Sequence, residues 1–187
     1  MHPILEAIHS RRSVRPGAYT DQPVAREKLE RVIAAANAAP SHKKTYPWRF
    51  IVFDTASAKT ELGEFLAERQ QATSETPVPK PKLRITRERP GKAAAAVAIV
   101  MNPDLEKLPE WEEVSATACA VQNFWLALGA EGLVGYWSSP GTLITGAEGF
   151  LGLAAGERCL GMFYLGYEAA EPAPIDRPDV AQKVEWR

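Results

Sequence analysis

Cysteine is scarce in this chain, with 2 in 187 residues. Neither Cys119 nor Cys159 stands in a CxxC or other metal-ligand spacing, so reduced, buried thiols are expected rather than a disulfide or a zinc site. Long hydrophobic runs are missing too, none approaching the roughly 18 residues that span a bilayer. The opening Met1-His2-Pro3-Ile4 has no basic leader ahead of an apolar segment, which makes the cytoplasm the expected location. Charge of one sign is also absent. With 22 basic and 23 acidic side chains the net charge is -1, so no global field recruits nucleic acid or an anionic membrane, and any anion site must be local. The chain has no GxGxxG after a strand, no GxxxxGKS/T, no HExxH and no GxSxG. Rossmann, P-loop, zincin and hydrolase chemistry are therefore disfavoured.

What is present is concentrated in two runs. Ile8-His9-Ser10-Arg11-Arg12-Ser13-Val14-Arg15 crowds guanidinia and hydroxyls at the end of a first amphipathic segment, and such forks grip phosphate bidentately. About 25 residues on, Ser41, His42, Lys43 and Lys44 supply donors to a planar ligand from a loop stiffened by Pro40 and Pro47. Together these runs suggest a phosphorylated, aromatic cofactor. The plain alternative for the first is a solvated helix end.

The periodicities outline one domain over 1–187. Ile4, Leu5 and Ile8 share a face of a first helix, and Leu29, Val32, Ile33 and Ala36 repeat through a second that Pro40 stops. Trp48 to Phe53 reads as a strand, after which Asp54 or Thr55 caps a helix carrying Leu62, Phe65 and Leu66. Between Thr73 and Pro90, prolines interleave with lysines and arginines, which predicts a mobile surface excursion. The run 93–101 is apolar throughout and fits a buried central strand. Glu110 to Ala130 reads as one helix with little polar face, since Val114, Ala118, Cys119, Val121, Phe124, Trp125 and Leu128 leave few sites for it. Such a helix is buried centrally or in an oligomer interface. A strand running into a turn over 132–141, a short helix near 146–153, a final strand over 159–167 and a proline-rich tail over 168–187, wrapping a surface or partner, complete the chain. Strands separated by helices indicate an α+β or α/β sandwich of one mixed sheet with helices on both faces.

Arg11-Arg12-Ser13-Val14-Arg15 after an N-terminal helix, a helix ending Ala39-Pro40-Ser41, and Pro47-Trp48 opening a strand resemble the nitroreductase family over residues 4–167, nearest its minimal-length members. That resemblance implies the nitroreductase fold and an FMN-binding homodimer with both flavin sites at the subunit interface. It implies Arg11 and Ser13 on the FMN phosphate with Arg12 near, and Arg15 at the ribityl and the N1/O2 edge of the flavin. Ser41, His42 and Lys43 would face the flavin from the other protomer, while Trp137, Ser138 and Ser139 would pack on and hydrogen-bond the isoalloxazine. The stretch Ala127, Leu128, Gly129, Ala130, Glu131 and Gly132 resembles one associated with the nicotinamide nucleotide. The implied reaction passes hydride from NADH or NADPH through FMN to an electron-poor small molecule, a nitroaromatic or quinone, by a ping-pong mechanism on one flavin face. No catalytic side chain is required, because the cofactor carries the chemistry.

Other readings stay open beside these. Trp137 could be a core residue, His42 a solvated loop histidine, and 127–132 a helix C-cap. His42 as a zinc ligand finds no support, since His2 and His9 have no spaced carboxylate or thiol partners. A flavin-binding or storage protein without turnover needs the same contacts, and so does a flavin-fragmenting or reductively dehalogenating member of the same fold. Two departures from the family pattern stand out. His42, Lys43 and Tyr46 replace the usual polar residues before Pro-Trp, and Glu168-Ala169-Ala170-Glu171 replaces the basic pair of larger relatives, with no base before Arg177.

Overall fold

A computed structural model of the chain describes residues 1–170 and 175–187. The stretch 171–174, part of the expected wrapping tail and including Glu171, lies outside the described residues. One four-stranded sheet of order β1-β2-β4-β3 organises the chain. Its strands are β1 (Trp48–Phe53), β2 (Ala95–Met101), β3 (Val134–Ser138) and β4 (Arg158–Gly166). Neighbours pair antiparallel throughout. The parallel component of the expected mixed sheet is a single bridge between Ser13 and Gly135 on the outer edge of β3.

Strand β2 is buried along its whole length, and its alternation feeds two cores. Val97 and Ile99 point to a cluster with Leu29 and Val32 of α2 (Arg26–Asn37) and Val121, Phe124 and Leu128 of α5 (Glu110–Ala130). Ala96 and Ala98 point to the other face, where α3 (Ala56–Ala72), α6 (Gly141–Ile144) and α7 (Glu148–Leu151) bring Leu62, Leu66, Leu143 and Leu151. The α+β architecture with helices on both faces is thus present. Thr55 is the cap of α3, its hydroxyl accepting from Ala58 N at 3.2 Å. The short helix expected near 146–153 is α7, and a further short helix not expected from the sequence, α6, precedes it across Gly146 at φ +84.

The stretch 73–90 lies at the surface, as expected, but is more regular than its prolines suggest. It contains a helix, α4 (Lys80–Glu88), laid along α3. Pro79 and Pro81 sit at its N-cap and first turn, where the missing N–H groups have no helical partner to lose, so they start the helix instead of breaking it. Thr86 donates to Gln70 at 2.7 Å and Arg87 to Glu64 at 2.7 Å. The two helices approach closely enough that a Cβ on Gly63 would overlap the Arg87 carbonyl oxygen.

Cys119 is exposed, against the expectation of two buried thiols; Cys159 is buried. The periodicity of α5 explains the difference, because its core face runs through Ala116, Thr117, Ala120, Phe124 and Leu128, leaving Cys119 on the outer stripe with Val114 and Trp111. Trp111 is 67% exposed, and Ile4 on α1 (Pro3–Ser10) is 63% exposed. Both apolar faces lack a partner within the described residues of a single chain. No helix among the described residues is long and apolar enough to cross a membrane.

Candidate functional site

The arginine segment is placed by edge pairing. Helix α1 ends with Arg11 as its C-cap, and the chain continues extended along β3, where Val14 N donates to Gly135 O at 3.0 Å. Extended backbone alternates its side chains, so Val14 turns into the core while Ser13 and Arg15 face out. Tyr19 fixes the stretch from beneath. Its buried hydroxyl lies 2.6 Å from Val14 O and 3.1 Å from Tyr164 O, and burial followed by the nearby Glu168 charge raises its pKa, so it remains a donor. Thr20 N bonds Tyr167 O at 2.8 Å, closing the segment onto the end of β4.

The guanidinia on this segment have different partners. Arg12 is paired with Glu168, and its buried Nε has no acceptor among the described residues. Arg11 lies over the Trp125 ring with its Cζ 4.4 Å from the centroid. Desolvation, and then the charge of Arg177, lower the Arg11 pKa. Arg177 arrives from the tail and donates to Arg11 O at 2.7 Å. Two like charges are therefore held together with no carboxylate bonded to either among the described residues, which is a ready site for an anion. Arg15 sits over Tyr136, 5.7 Å from its centroid.

At the strand end, Trp137 Nε1 is a buried donor with no acceptor among the described residues. It lies against Gly161 of β4, beside the register shift between Ile99 and Val100, and a Cβ at Gly161 would crowd both Ser138 O and Trp137 Nε1. The backbone φ of +134 at Gly161 is open to glycine alone without strain. Ser138 and Ser139 follow at the mouth of this strand, with Ser139 exposed.

Ser41, His42 and Lys43 lie on a loop with an unusual backbone. Lys43, Lys44 and Tyr46 all have positive φ, at 50, 55 and 47 degrees, each costing on the order of 1 kcal/mol for a residue with a side chain. Side chains hold the loop in place. Ser41 Oγ accepts from Tyr46 N at 2.9 Å, Thr45 Oγ1 donates to the fully buried Glu113 at 2.9 Å, and Lys43 Nζ donates to Lys107 O at 2.9 Å. His42 Nδ1 lies 2.5 Å from Glu112 Oε2. With Trp111, Ser115 and Cys119 of α5, Ser41 and His42 line a shallow groove of about 570 Å³.

The expected flavin residues thus form two groups. Arg11, Arg12, Ser13, Arg15, Trp137, Ser138 and Ser139 gather around the edge strand, whereas Ser41, His42 and Lys43 lie against the N-terminal half of α5. The residues of α5 that the two groups touch, Glu112 and Trp125, stand about 20 Å apart along the helix at about 1.5 Å per residue. The stretch 127–132 is a helix C-terminus: Leu128 is core, Glu131 is gripped by Arg31 at 2.6 and 2.9 Å, and Gly132 turns the chain at φ +73. Composition and spacing gave no site role to Glu113, Thr45, Tyr19 or Trp125, and marked Arg177 only as the first base after the last strand. Only the acidic first turn of α5, Glu110-Trp111-Glu112-Glu113, hinted that carboxylates would meet a donor-rich loop.

Comparison with known proteins identifies the family of the chain. The nitroreductase family model matches residues 8–167, and the chain belongs to that family. The Bacillus subtilis protein "Putative NAD(P)H nitroreductase YfhC" is 26% identical across 100% of this chain and 92% of its own length. Among solved structures, a nitroreductase-like family protein from Bacillus cereus superposes with a TM-score of 0.83 at 26% identity, covering 100% of this chain and 97% of the other. A "putative nitroreductase in complex with fmn" from Desulfovibrio desulfuricans gives 0.74 at 26%, covering 100% and 98%. Iodotyrosine deiodinase 1 from Sus scrofa is 27% identical over 92% of this chain and 64% of that protein.

Proposed function

We propose that this chain is an FMN-dependent oxidoreductase that takes hydride from NADH or NADPH and delivers it to nitroaromatics, quinones or similar electron-poor acceptors in ping-pong fashion. The observation that carries the reading is the convergence of Arg11 and Arg177 with no protein carboxylate bonded to either among the described residues, beside the exposed Ser13 hydroxyl. That donor set fits one terminal phosphate. Arg177 takes the part of the basic pair that is missing after β4, while Arg12 is occupied by Glu168. Trp137 Nε1, with Ser138 and Ser139, supplies donors and an aromatic surface for a flat heteroaromatic ring. When bound, FMN supplies the hydride relay between the nicotinamide and the acceptor. Hydride plus a proton converts a nitro group to a nitroso group and water. Arg15, a fixed cation above Tyr136, would stabilise negative charge on the ring edge it meets.

A homodimer follows from the split site. Ser41, His42 and Lys43 reach the flavin of the partner when the exposed faces of α5 and α1, with Trp111, Val114, Ile4 and Leu5, pack against a second copy. The similarity to an iodotyrosine deiodinase favours a second reading on the same scaffold, reductive dehalogenation of an aromatic acceptor. The test is the cofactor and the assembly together. The purified protein should be yellow, release FMN and no FAD on denaturation, and sediment as a dimer. A colourless monomer that cannot be reconstituted with FMN would end the reading.

A further inference from the structure

A cleft of about 450 Å³ opens between the start of β3 and the α3–α4 unit, on the sheet face opposite α5. Arg15, Arg89 and Lys92 line it, with Tyr136 and Ile85 as its apolar walls. No carboxylate lines it, and none of the three cations has a side-chain hydrogen bond or ion pair to another described residue. Several other arginines of this protein are neutralised instead. Arg12, Arg31, Arg49, Arg87 and Arg158 each meet a Glu. Arg89 and Lys92 are brought in by the turn Pro90–Lys92, where Lys92 N bonds Arg89 O at 3.2 Å, so the turn fixes the separation of their backbones. Arg89 also lies within electrostatic reach of the buried Tyr164 hydroxyl behind the cleft.

We propose that this cleft binds an aromatic carboxylate, the anionic group held by Arg89 and Lys92 and the ring lodged between Ile85 and Tyr136, so that the preferred acceptor is an acidic, electron-poor aromatic. The inference rests on the flavin reading only in using Arg15, which that reading places at the flavin edge, to set the cleft beside the reaction centre. Its volume falls within the roughly 300–1,000 Å³ range of small-molecule sites, and it suits a single substituted ring better than a dinucleotide. The absence of any lining carboxylate selects against a zwitterionic amino acid, whose ammonium group would meet cations alone. Charge-assisted contacts to the half-buried Arg89 and the exposed Lys92 should be modest individually and specific in sum.

The test compares wild type, Arg89→Gln, Lys92→Gln and the double variant as purified flavin-loaded protein. Calorimetric titration with para-nitrobenzoate should show about tenfold weaker binding for each charge removed, equivalent to about 1.4 kcal/mol. KM for para-nitrobenzoate should rise in parallel. Binding and KM for neutral para-nitrobenzamide, KM for NADPH and FMN content should stay unchanged. Equal losses for the acid and the amide, or no loss for either, would overturn the proposal. A rise in KM for NADPH alone would assign the cleft to the nucleotide phosphates, and loss of FMN would assign it to the cofactor; either result refutes the acceptor site. If no variant or wild-type protein reduces any acceptor while charge-dependent binding of para-nitrobenzoate persists, the cleft stands and the redox reading falls.

Discussion

Replacing Arg11 by alanine removes a guanidinium from the proposed phosphate site and leaves the buried residues of both cores unchanged. A charge-assisted hydrogen bond is worth roughly 1.5 to 3 kcal/mol net, and a bidentate fork offers two. The loss should be smaller than that sum. Arg177 and Ser13 remain in place, and deleting Arg11 relieves its repulsion with Arg177, the same repulsion that helps lower the Arg11 pKa. A weakening of about 2 to 3 kcal/mol is expected, which corresponds to a Kd about 30- to 160-fold higher. The fold should survive, since the side chain gives up a partly exposed contact with the Trp125 face, worth about 1 kcal/mol. Flavin fluorescence quenching on titration of apoprotein measures the affinity, with riboflavin as the control because it lacks the phosphate. Wild type should prefer FMN over riboflavin, and Arg11→Ala should lose most of that preference while riboflavin affinity holds. Unchanged FMN affinity, or equal losses for both flavins, would refute the phosphate assignment.

Tyr19→Phe removes a hydroxyl that lies against two buried carbonyls, Val14 O and Tyr164 O, and should cost about 1 to 3 kcal/mol in urea unfolding, with FMN affinity falling because Val14 anchors the arginine segment. Arg49 bonds Glu157 at 2.8 and 2.6 Å and holds that carboxyl below its usual pKa, so the pair's contribution is complete above about pH 4.3, the unfolded value, and is lost as pH falls through the lowered folded value. The fall in melting temperature below about pH 4.3 should therefore be shallower in Glu157→Gln than in wild type, and identical slopes would show that the pair does not matter. In steady state, double-reciprocal plots of NADPH against a quinone should be parallel; intersecting lines would exclude a single flavin face serving both substrates in turn.

Much of the architecture was legible because local rules governed it. The Trp48–Phe53 strand, the Glu110–Ala130 helix and the Thr55 cap all follow from periodicity and capping chemistry that tertiary context did not override. The helix within the surface stretch 73–90 was missed for a physical reason: proline breaks a helix interior but is welcome in its first turn, and Pro79 and Pro81 stand at that turn. Cys119 was misplaced because an almost wholly apolar helix does not reveal which stripe faces the core until its neighbours are known. At the candidate site, the residue types that suit a phosphorylated flavin were visible along the chain. What joins them was not. The Val14–Gly135 pairing, the return of Arg177 to Arg11 and the hold of buried Glu113 on Thr45 are long-range contacts that no local pattern encodes.

Anaerobic titration of the purified protein with NADPH and NADH, followed by absorbance, tests the central claim most directly. The visible flavin bands should bleach with at least one of the two donors at one equivalent per flavin, and should return on addition of a nitroaromatic or quinone in the absence of oxygen. A flavin that stays oxidised with both nucleotides, or that is bleached and cannot be reoxidised by any such acceptor, would contradict the assignment of this chain as an FMN-dependent oxidoreductase.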